Sequence, residues 1–543
     1  MSRFTQEELA ILQKYITDPE SHIFAVKGLS GIVGPAYARY SRTQGSFLQT
    51  FLKEFIKDGV LDAVKASEVI ERILIAYGDD SVGELEGAHL SLECISNLAT
   101  KEVEDRRIGG SPIEQSTRYV LYDQKDEHHK WRYLRPKEIM ASDLKDEYET
   151  VMDALFETYV SLVEPMQLFY RAKKPITEAE YDIRGSGVKQ KRSDLTEEKE
   201  LKAFDRTYTF DIRTKTYDTI RILLPAATLT NVGLFGNGRF YQGLLTHLYT
   251  HPLTEMQDIA ADARRALNQI IPTFIKRAQK NTYRSHTHTA MQILADEYMP
   301  PQEGVPTALS IQPVQLFTHN QLDFHLATLA HMLYPYTTHS LEQIYEKVKA
   351  FPPAMQDRIL HTYVGNRQTR RDKPGRALEV GYPLTFDIVG DFGIYRDLQR
   401  HRMLTQQRQL LHPDLGFENN TDIAEAGFQT QVDTMREKVE SLYEKIKNIS
   451  GRTIAQYVVL MGHRMRWTMG MNIREAEHMC ALRTTPQGHP TYRRICQEMA
   501  RQIVQRYPWA KEIYTFTDYQ EYVWSRADSE ARQRQKEKEL EEK

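Results

Sequence analysis

The stretch GELEGAHLSLECI, residues 83–95, has a diverged counterpart in RALEVGYPLTFDI, residues 376–388, which sets Glu86 against Glu379 at an offset of 293 (379 − 86). An arginine cluster follows each glutamate: Arg106-Arg107-Ile108 after the first and Arg400-His401-Arg402 after the second. Farther on, FGNGRFYQGLLTHL (235–248) matches MGMNIREAEHMCALR (469–483), pairing Asn237 with Asn472 and Arg239 with Arg474 at an offset of 235 (472 − 237). The offset falls because the first copy has a longer middle. Three matched blocks in one order point to a diverged tandem duplication. The expected architecture is α+β, with a first repeat over residues 1–298, a proline-rich linker at 299–315, a second repeat over 316–525 and a charged tail at 526–543.

Helical periodicity runs through EELAILQKYI and FLQTFLKEFIKDGVLDAVKASEVIERILIAYG, so the first 80 residues read as helical. DLKDEYETVMDALFETYVSLVEPMQLFYRA (143–172) reads as one long helix, and NVGLFGNGRFYQGLLTHLY (231–249) also reads as helix. LTEMQDIAADARRALNQIIPTFIKRA, LEQIYEKVKAF and VDTMREKVESLYEKIKNI continue the pattern. Strands are expected in TALSIQPVQLF, LSLECI and YPLTFDIV. KKPITEAEYDIRGSGVKQKRSDLTEEKE is charged and poor in apolar residues; it reads as an exposed loop, part of an insertion near 173–206.

Composition narrows the class. The chain has 543 residues and a formal net charge of −3, so no global field draws it to nucleic acid or an anionic membrane. Its 3 cysteines form no CxxC pair and suggest no disulfide framework. No apolar run reaches the ~18 residues of a membrane span, and MSRFTQEELAILQKYI has no signal-peptide core. A soluble cytoplasmic protein is expected.

The chemistry gathers in two segments. In RDLQRHRMLTQQRQLLHPDLG (396–416), Arg400, His401 and Arg402 cannot all point one way. Arginine forks suit phosphate, although Arg400 could equally pair with Asp397 on the surface. In SPIEQSTRY (111–119), Ser116, Thr117 and Arg118 offer hydroxyl, backbone and guanidinium donors in a turn-prone stretch, which is the makeup of an oxyanion cradle. NIREAEHMCALR has Asn472 followed by Glu475, a capping pattern that starts a helix near Ile473 and puts Arg474 and His478 on one face. The pairs His286/His288 and His128/His129 lack acidic or cysteine partners at ligand spacing, so a metal is not expected. No phosphate loop, GxSxG elbow or Pro-Cys nucleophile setting occurs.

Both halves resemble the flavin-dependent thymidylate synthases. That family carries an Arg-His-Arg triplet, then a serine followed shortly by Arg-Tyr, then Leu-Pro, Asn-x-Arg and a late arginine. The departures are complementary. The first copy keeps EQSTRY, which implies a nucleotide-phosphate site from Glu114, Gln115, Ser116, Thr117 and Arg118, with Arg221 adding a further arginine. Its triplet has decayed, and Leu248 stands at the catalytic arginine. The second copy keeps Arg400-His401-Arg402 and has Arg483 at the catalytic position, but Leu410, His412 and Gln456 replace the cradle. Asp397 replaces a glutamine that contacts the pyrimidine.

The resemblance thus implies one composite site, with Arg483 catalytic and Arg400 shared between nucleotide and flavin. It assigns FAD to Glu379, Arg400, His401, Arg402, Asn472, Arg474 and His478, together with Asn237 and Arg239 of the first copy. It implies methylation of dUMP to dTMP with methylenetetrahydrofolate and NADPH as co-substrates, in a homodimer that mimics the family's tetramer. Partners are small molecules, without nucleic acid or membrane. The alternatives are another pyrimidine acceptor, or a nucleotide-binding relative without catalysis.

Overall fold

The computed structural model describes residues 4–27, 33–40, 46–57, 60–61, 83–106, 108–300, 312–317, 323–368, 372, 375–418, 420–522 and 524. Arg107, residues 301–311 of the proline-rich linker and the tail 526–543 lie outside them.

The duplication is built into the strand order. In the first repeat β1 (Gly87–Ser96) leads into α1 (Asn97–Glu104) and β2 (Gly110–Glu114); α2 (Glu198–Ile220), β3 (Leu229–Asn237) and α3 (Gly238–Thr250) follow. The second repeat gives β4 (Val314–Phe317), β5 (Leu384–Asp391), α4 (Phe392–Leu398), β6 (Leu404–Arg408), α5 (Gln429–Ser450), β7 (Arg464–Met471), α6 (Ile473–Arg483) and α7 (Pro490–Arg506). One sheet has the order β1-β3-β2 and the other β4-β5-β7-β6. Removing β4, which has no counterpart in the first sheet, leaves the same order twice.

Register repeats the correspondence residue by residue. Gly110 faces Gly236 in the first sheet, and Leu404 faces Met471 in the second. The two differences, 294 (404 − 110) and 235 (471 − 236), reproduce the sequence offsets to within one residue.

The chain divides into two compact units that cut across the repeats. The first takes residues 1–95, 99–114 and 230–282; the second takes 96–98, 115–229 and 283–543. In the first unit, Thr5 and Ser46 cap helices Gln6–Tyr15 and Phe47–Phe55 through reciprocal bonds with Glu8 and Gln49. Those helices bury Leu12, Phe47, Phe51 and Phe55. In the second unit β5 is buried along its whole length, its polar Asp387 accepting from Tyr334 and Arg466, and Trp467 of β7 is fully enclosed. A second cluster joins helices Phe324–Leu333, Leu341–Ala350 and Pro353–Val364.

The second unit also contains a seam between the copies. Ala226 donates to the Val459 carbonyl at 2.8 Å, and Met461 donates to the Leu224 carbonyl at 2.8 Å. Ala227 bonds Tyr457 at 2.9 Å, and Gly462 bonds Ile222 at 3.0 Å. Adding 235 to the first-copy residue of one bond and subtracting 235 from its second-copy residue gives its twin. The four bonds are therefore two pairs about a local pseudo-two-fold axis, at the bridge between Pro225 and Leu460.

Several element expectations are corrected. Residues 231–237 belong to β3, and the helix begins only at Gly238. Thr230, Val232, Leu234 and Gly236 are buried in alternation, so a period of two, not 3.6, governs this stretch. The long helix over 143–172 is two helices, Lys145–Ser161 and Val163–Lys173, with Pro165 in the first turn of the second. After Phe55 the N-terminal helices give way to a two-residue ladder, Ile56–Lys57 with Val60–Leu61, while 62–82 lie outside the described residues. The charged loop holds a small ladder, Glu180–Tyr181 with Gln190–Lys191, and its end from Glu198 is already α2. Of TALSIQPVQLF, only Val314–Phe317 is strand within the described residues.

Candidate functional site

Asp391 ends β5 and caps α4, its Oδ1 accepting from the Ile394 N–H at 3.0 Å. The seven residues of α4 present Arg396 and Asp397, and the turn after them carries the triplet. That turn is fixed by Gln406 of β6, whose side chain donates to the Gln399 carbonyl at 2.8 Å. The triplet's members diverge, as the sequence requires. Arg400 turns back, donating from Nε to the Arg396 carbonyl at 3.1 Å and from Nη2 to Asp397 at 2.9 Å. His401 is buried between α6 side chains, and Arg402 is exposed.

The cradle of the first repeat lies in this same unit, except for Glu114. Residues 116–120 form a turn in which Tyr119 and Val120 donate to the Ser116 carbonyl at 3.1 Å, and the Ser116 hydroxyl accepts from the Arg118 N–H at 3.3 Å. Thr117 accepts from Arg396 Nη1 at 3.0 Å, a direct bond between first-repeat cradle and second-repeat helix. The Arg118 guanidinium grips Asp218 of α2 through Nε and Nη2 at 2.7 and 2.9 Å, leaving Nη1 outside that pair. Gln115 belongs to the unit and is half-buried.

Arg221 follows α2 in a single 3-10 turn and is buried, with Nη2 lacking any hydrogen-bond partner. It reaches the start of α4, where a Cβ on Gly393 would stand at ordinary contact distance, 3.5 Å, from Nη2 and would crowd only Asp391 Oδ1, at 3.0 Å. Burial lowers the Arg221 pKa, and Arg118 lowers it further. Burial alone would raise the Asp397 carboxyl, but Arg118, Arg400, Arg221 and Arg483 together hold it below the usual range. Four arginines thus act on one carboxylate. Two come from each repeat.

At the other end, Arg483 closes α6. Its Nε donates to His401 Nε2 at 2.9 Å, and its guanidinium lies 5.8 Å from the Tyr492 ring of α7. Asn472 caps α6 through Glu475, and Arg474 and His478 are exposed on that helix. Glu379 accepts from the Thr405 hydroxyl at 3.0 Å.

The cradle position of the second repeat has closed on itself. Gln456 accepts from the Leu411 N–H at 3.0 Å and donates to the Thr453 carbonyl at 3.1 Å, while His412 sits 3.2 Å from Asp414. Three expected residues fall in the first unit. Glu114 is buried against Lys101 at 3.1 Å and Thr100 at 3.1 Å, Asn237 caps α3, and Arg239 pairs with Glu84. Glu114 is thereby committed to a buried ion pair. Leu248 is core.

The family profile described as "Thymidylate synthase complementing protein" matches residues 36–273 and again residues 316–509. The chain belongs to that family. This is the flavin-dependent thymidylate synthase family, and the two matched stretches fit a tandem duplication. A relative in Chlamydia muridarum, named only "UPF0159 protein", is 34% identical over 98% of both chains. A Chlamydia pneumoniae protein of the same name is 34% identical over 97% of this chain and 98% of its own. A Thermoplasma acidophilum relative is 29% identical, covering 92% and 98%. Among the described residues, no helix of this family member is long and apolar enough to cross a membrane.

Asp218, Asp391, Arg396, Glu475 and Tyr492 were missed by sequence reasoning. Only Glu475 carried a signal, as the third residue after a helix cap. The others act through tertiary neighbours.

Proposed function

We propose that the chain is an FAD-dependent thymidylate synthase, methylating dUMP to dTMP with methylenetetrahydrofolate and NADPH. The observation that carries this reading is Arg221, a buried guanidinium with an unpartnered Nη2 beside Arg118. A buried donor without an acceptor is costly, and a phosphate supplies what it lacks. On this reading Arg118, Arg221 and the Ser116–Arg118 turn anchor the nucleotide phosphate and orient the ring. Arg483, steadied by His401, stabilises negative charge that builds on the pyrimidine.

The residues at the His401 end suit a flavin dinucleotide. Arg402, Arg474 and His478 are exposed donors for its pyrophosphate, with Asn472 beside them in sequence and Glu379 an acceptor for a hydroxyl. FAD, when bound, supplies the two-electron chemistry that the side chains lack. No protein nucleophile is needed, which accords with Cys480 and Cys496 being buried with thiols pushed up by burial.

A second reading keeps flavin and folate and changes the acceptor. Asp397 favours it, since an ionised carboxylate accepts only, and a pyrimidine with an amino donor satisfies it as well as uracil N3–H does. The test is product analysis by mass spectrometry of purified protein with FAD, NADPH, methylenetetrahydrofolate and either dUMP or dCMP. Thymidylate from dUMP supports the first reading. Methylated dCMP alone supports the second, and no product from a protein that binds flavin removes both.

A further inference from the structure

The hydrogen bonds around His401 fix more than its position. An arginine Nε can only donate, so His401 Nε2, 2.9 Å from Arg483 Nε, is the ring's lone pair. The ring proton is then on Nδ1, which lies 3.0 Å from Glu475 Oε1. Glu475 is itself anchored, because its backbone N–H donates to Asn472 Oδ1 at 3.0 Å in the first turn of α6. Side chains of His401 and Glu475 are 3% and 10% exposed, so water competes poorly for either bond. Residues 475, 479 and 483 share one face of α6, so Glu475 and Arg483 reach the two ring nitrogens of His401 from one helix.

We propose that Glu475 is a positioning residue for Arg483, acting through His401: its carboxylate holds the Nδ1–H tautomer, and Nε2 then holds Arg483. The inference rests on the reading of Arg483 as the residue that faces the nucleotide ring. Without an acceptor at Nδ1, the imidazole is free to carry its proton on Nε2. Two N–H groups would then face each other, and Arg483 would lose its anchor. Protonation of His401 has the same result. The ring is kept neutral chiefly by burial, which lowers its pKa; Glu475 opposes this, and Arg483 and His478 lower it further. These three charged or titratable neighbours come from α6, and Arg400 and Arg402 flank His401 on its own segment.

The experiment is nitrogen NMR on protein carrying labelled histidine, without substrates, with His401→Gln used to identify the resonance. Wild type, Glu475→Gln and Glu475→Leu are compared, and turnover is followed against pH. Wild type should show protonated Nδ1. Glu475→Leu should lose that tautomer and lower kcat by about 10–100-fold with the nucleotide KM unchanged, as misorientation of a catalytic group does. Glu475→Gln keeps an acceptor oxygen, so it should retain more activity. Its acid limb should move to lower pH, because the charge that raised His401 is gone. An Nε2–H tautomer in wild type would overturn the proposal, as would Glu475→Leu with unchanged tautomer and kcat. Should Glu475→Leu fail to fold, the wild-type tautomer and the Glu475→Gln pH profile still decide. A protein that makes no thymidylate yet shows protonated Nδ1 sinks the functional reading and leaves the relay standing.

Discussion

At the scale of single residues, the site sets cationic groups close together and leaves Arg221 Nη2 without an acceptor. Arg118 and Arg483 both act on Asp397, yet the proposed function gives them different work. Arg118→Ala should weaken dUMP binding by about 10–100-fold, the value of one or two charge-assisted bonds, with a smaller change in kcat. Arg483→Ala should lower kcat by about 10²–10³-fold with a smaller change in binding. Calorimetric binding beside steady-state turnover checks the pair; equal losses of binding in both would sink the division of roles. Asp391 offers a test without substrate. Burial pushes its carboxyl from 3.8 up to about 7, against the pull of Arg221. The folded protein therefore holds a proton that the unfolded chain has already released, so stability falls as pH rises between about 4 and 7 and levels off above. Asp391→Asn keeps an oxygen for the Ile394 N–H and should flatten that decline, read as melting temperature at pH 5 against pH 8.

At the scale of elements, short helices and their caps carry the functional groups. Asn472 caps α6 by accepting from Glu475, the residue whose side chain holds His401. Asn472→Ala should cost about 1 kcal/mol of stability and fray the turn that bears Glu475. Its kcat should fall along with the melting temperature. A drop in melting temperature with kcat intact would separate the cap from the site. The sequence made this helix legible, since Asn472 followed by Glu475 is a start signal and its residues follow the helical period. It did not reveal β3, whose glycines and half-buried alternation sit next to a true helix and were absorbed into its pattern.

At the scale of the whole molecule, the repeats and the compact units are different divisions of one chain. Residues 115–229 belong to the first repeat by sequence and to the second repeat's unit by contact. The seam at Pro225 and Leu460 joins the copies within that unit. Ala226→Pro removes the N–H that bonds Val459 and strands a backbone acceptor, at a cost of about 1–3 kcal/mol. Because Arg221 lies just upstream, nucleotide binding should weaken as well, although no ligand-facing side chain changes. Thermal melts with dUMP titrations check both effects; lost stability with binding untouched would show that the seam does not position Arg221.

The sequence by itself determined that the chain is a duplicated α+β member of the thymidylate synthase complementing protein family. Register follows the offsets already visible between Glu86 and Glu379 and between Asn237 and Asn472, and the repeated strand order and the two family matches agree with the duplication. Residue identity, set against the family's pattern, also gave the expectation of complementary losses, with arginines at 118 and 221 in one copy and at 400 and 483 in the other. Only the tertiary structure decided which of these meet, because the 396–117 and 401–475 bonds join residues far apart in the chain. Tertiary structure likewise committed Glu114 to Lys101, left Arg221 Nη2 without a partner and set Arg483 Nε against His401 Nε2. Periodicity and spacing record which face of an element is buried. A hydrogen-bond partner on another element, and the charge that burial imposes, arise only when the elements pack.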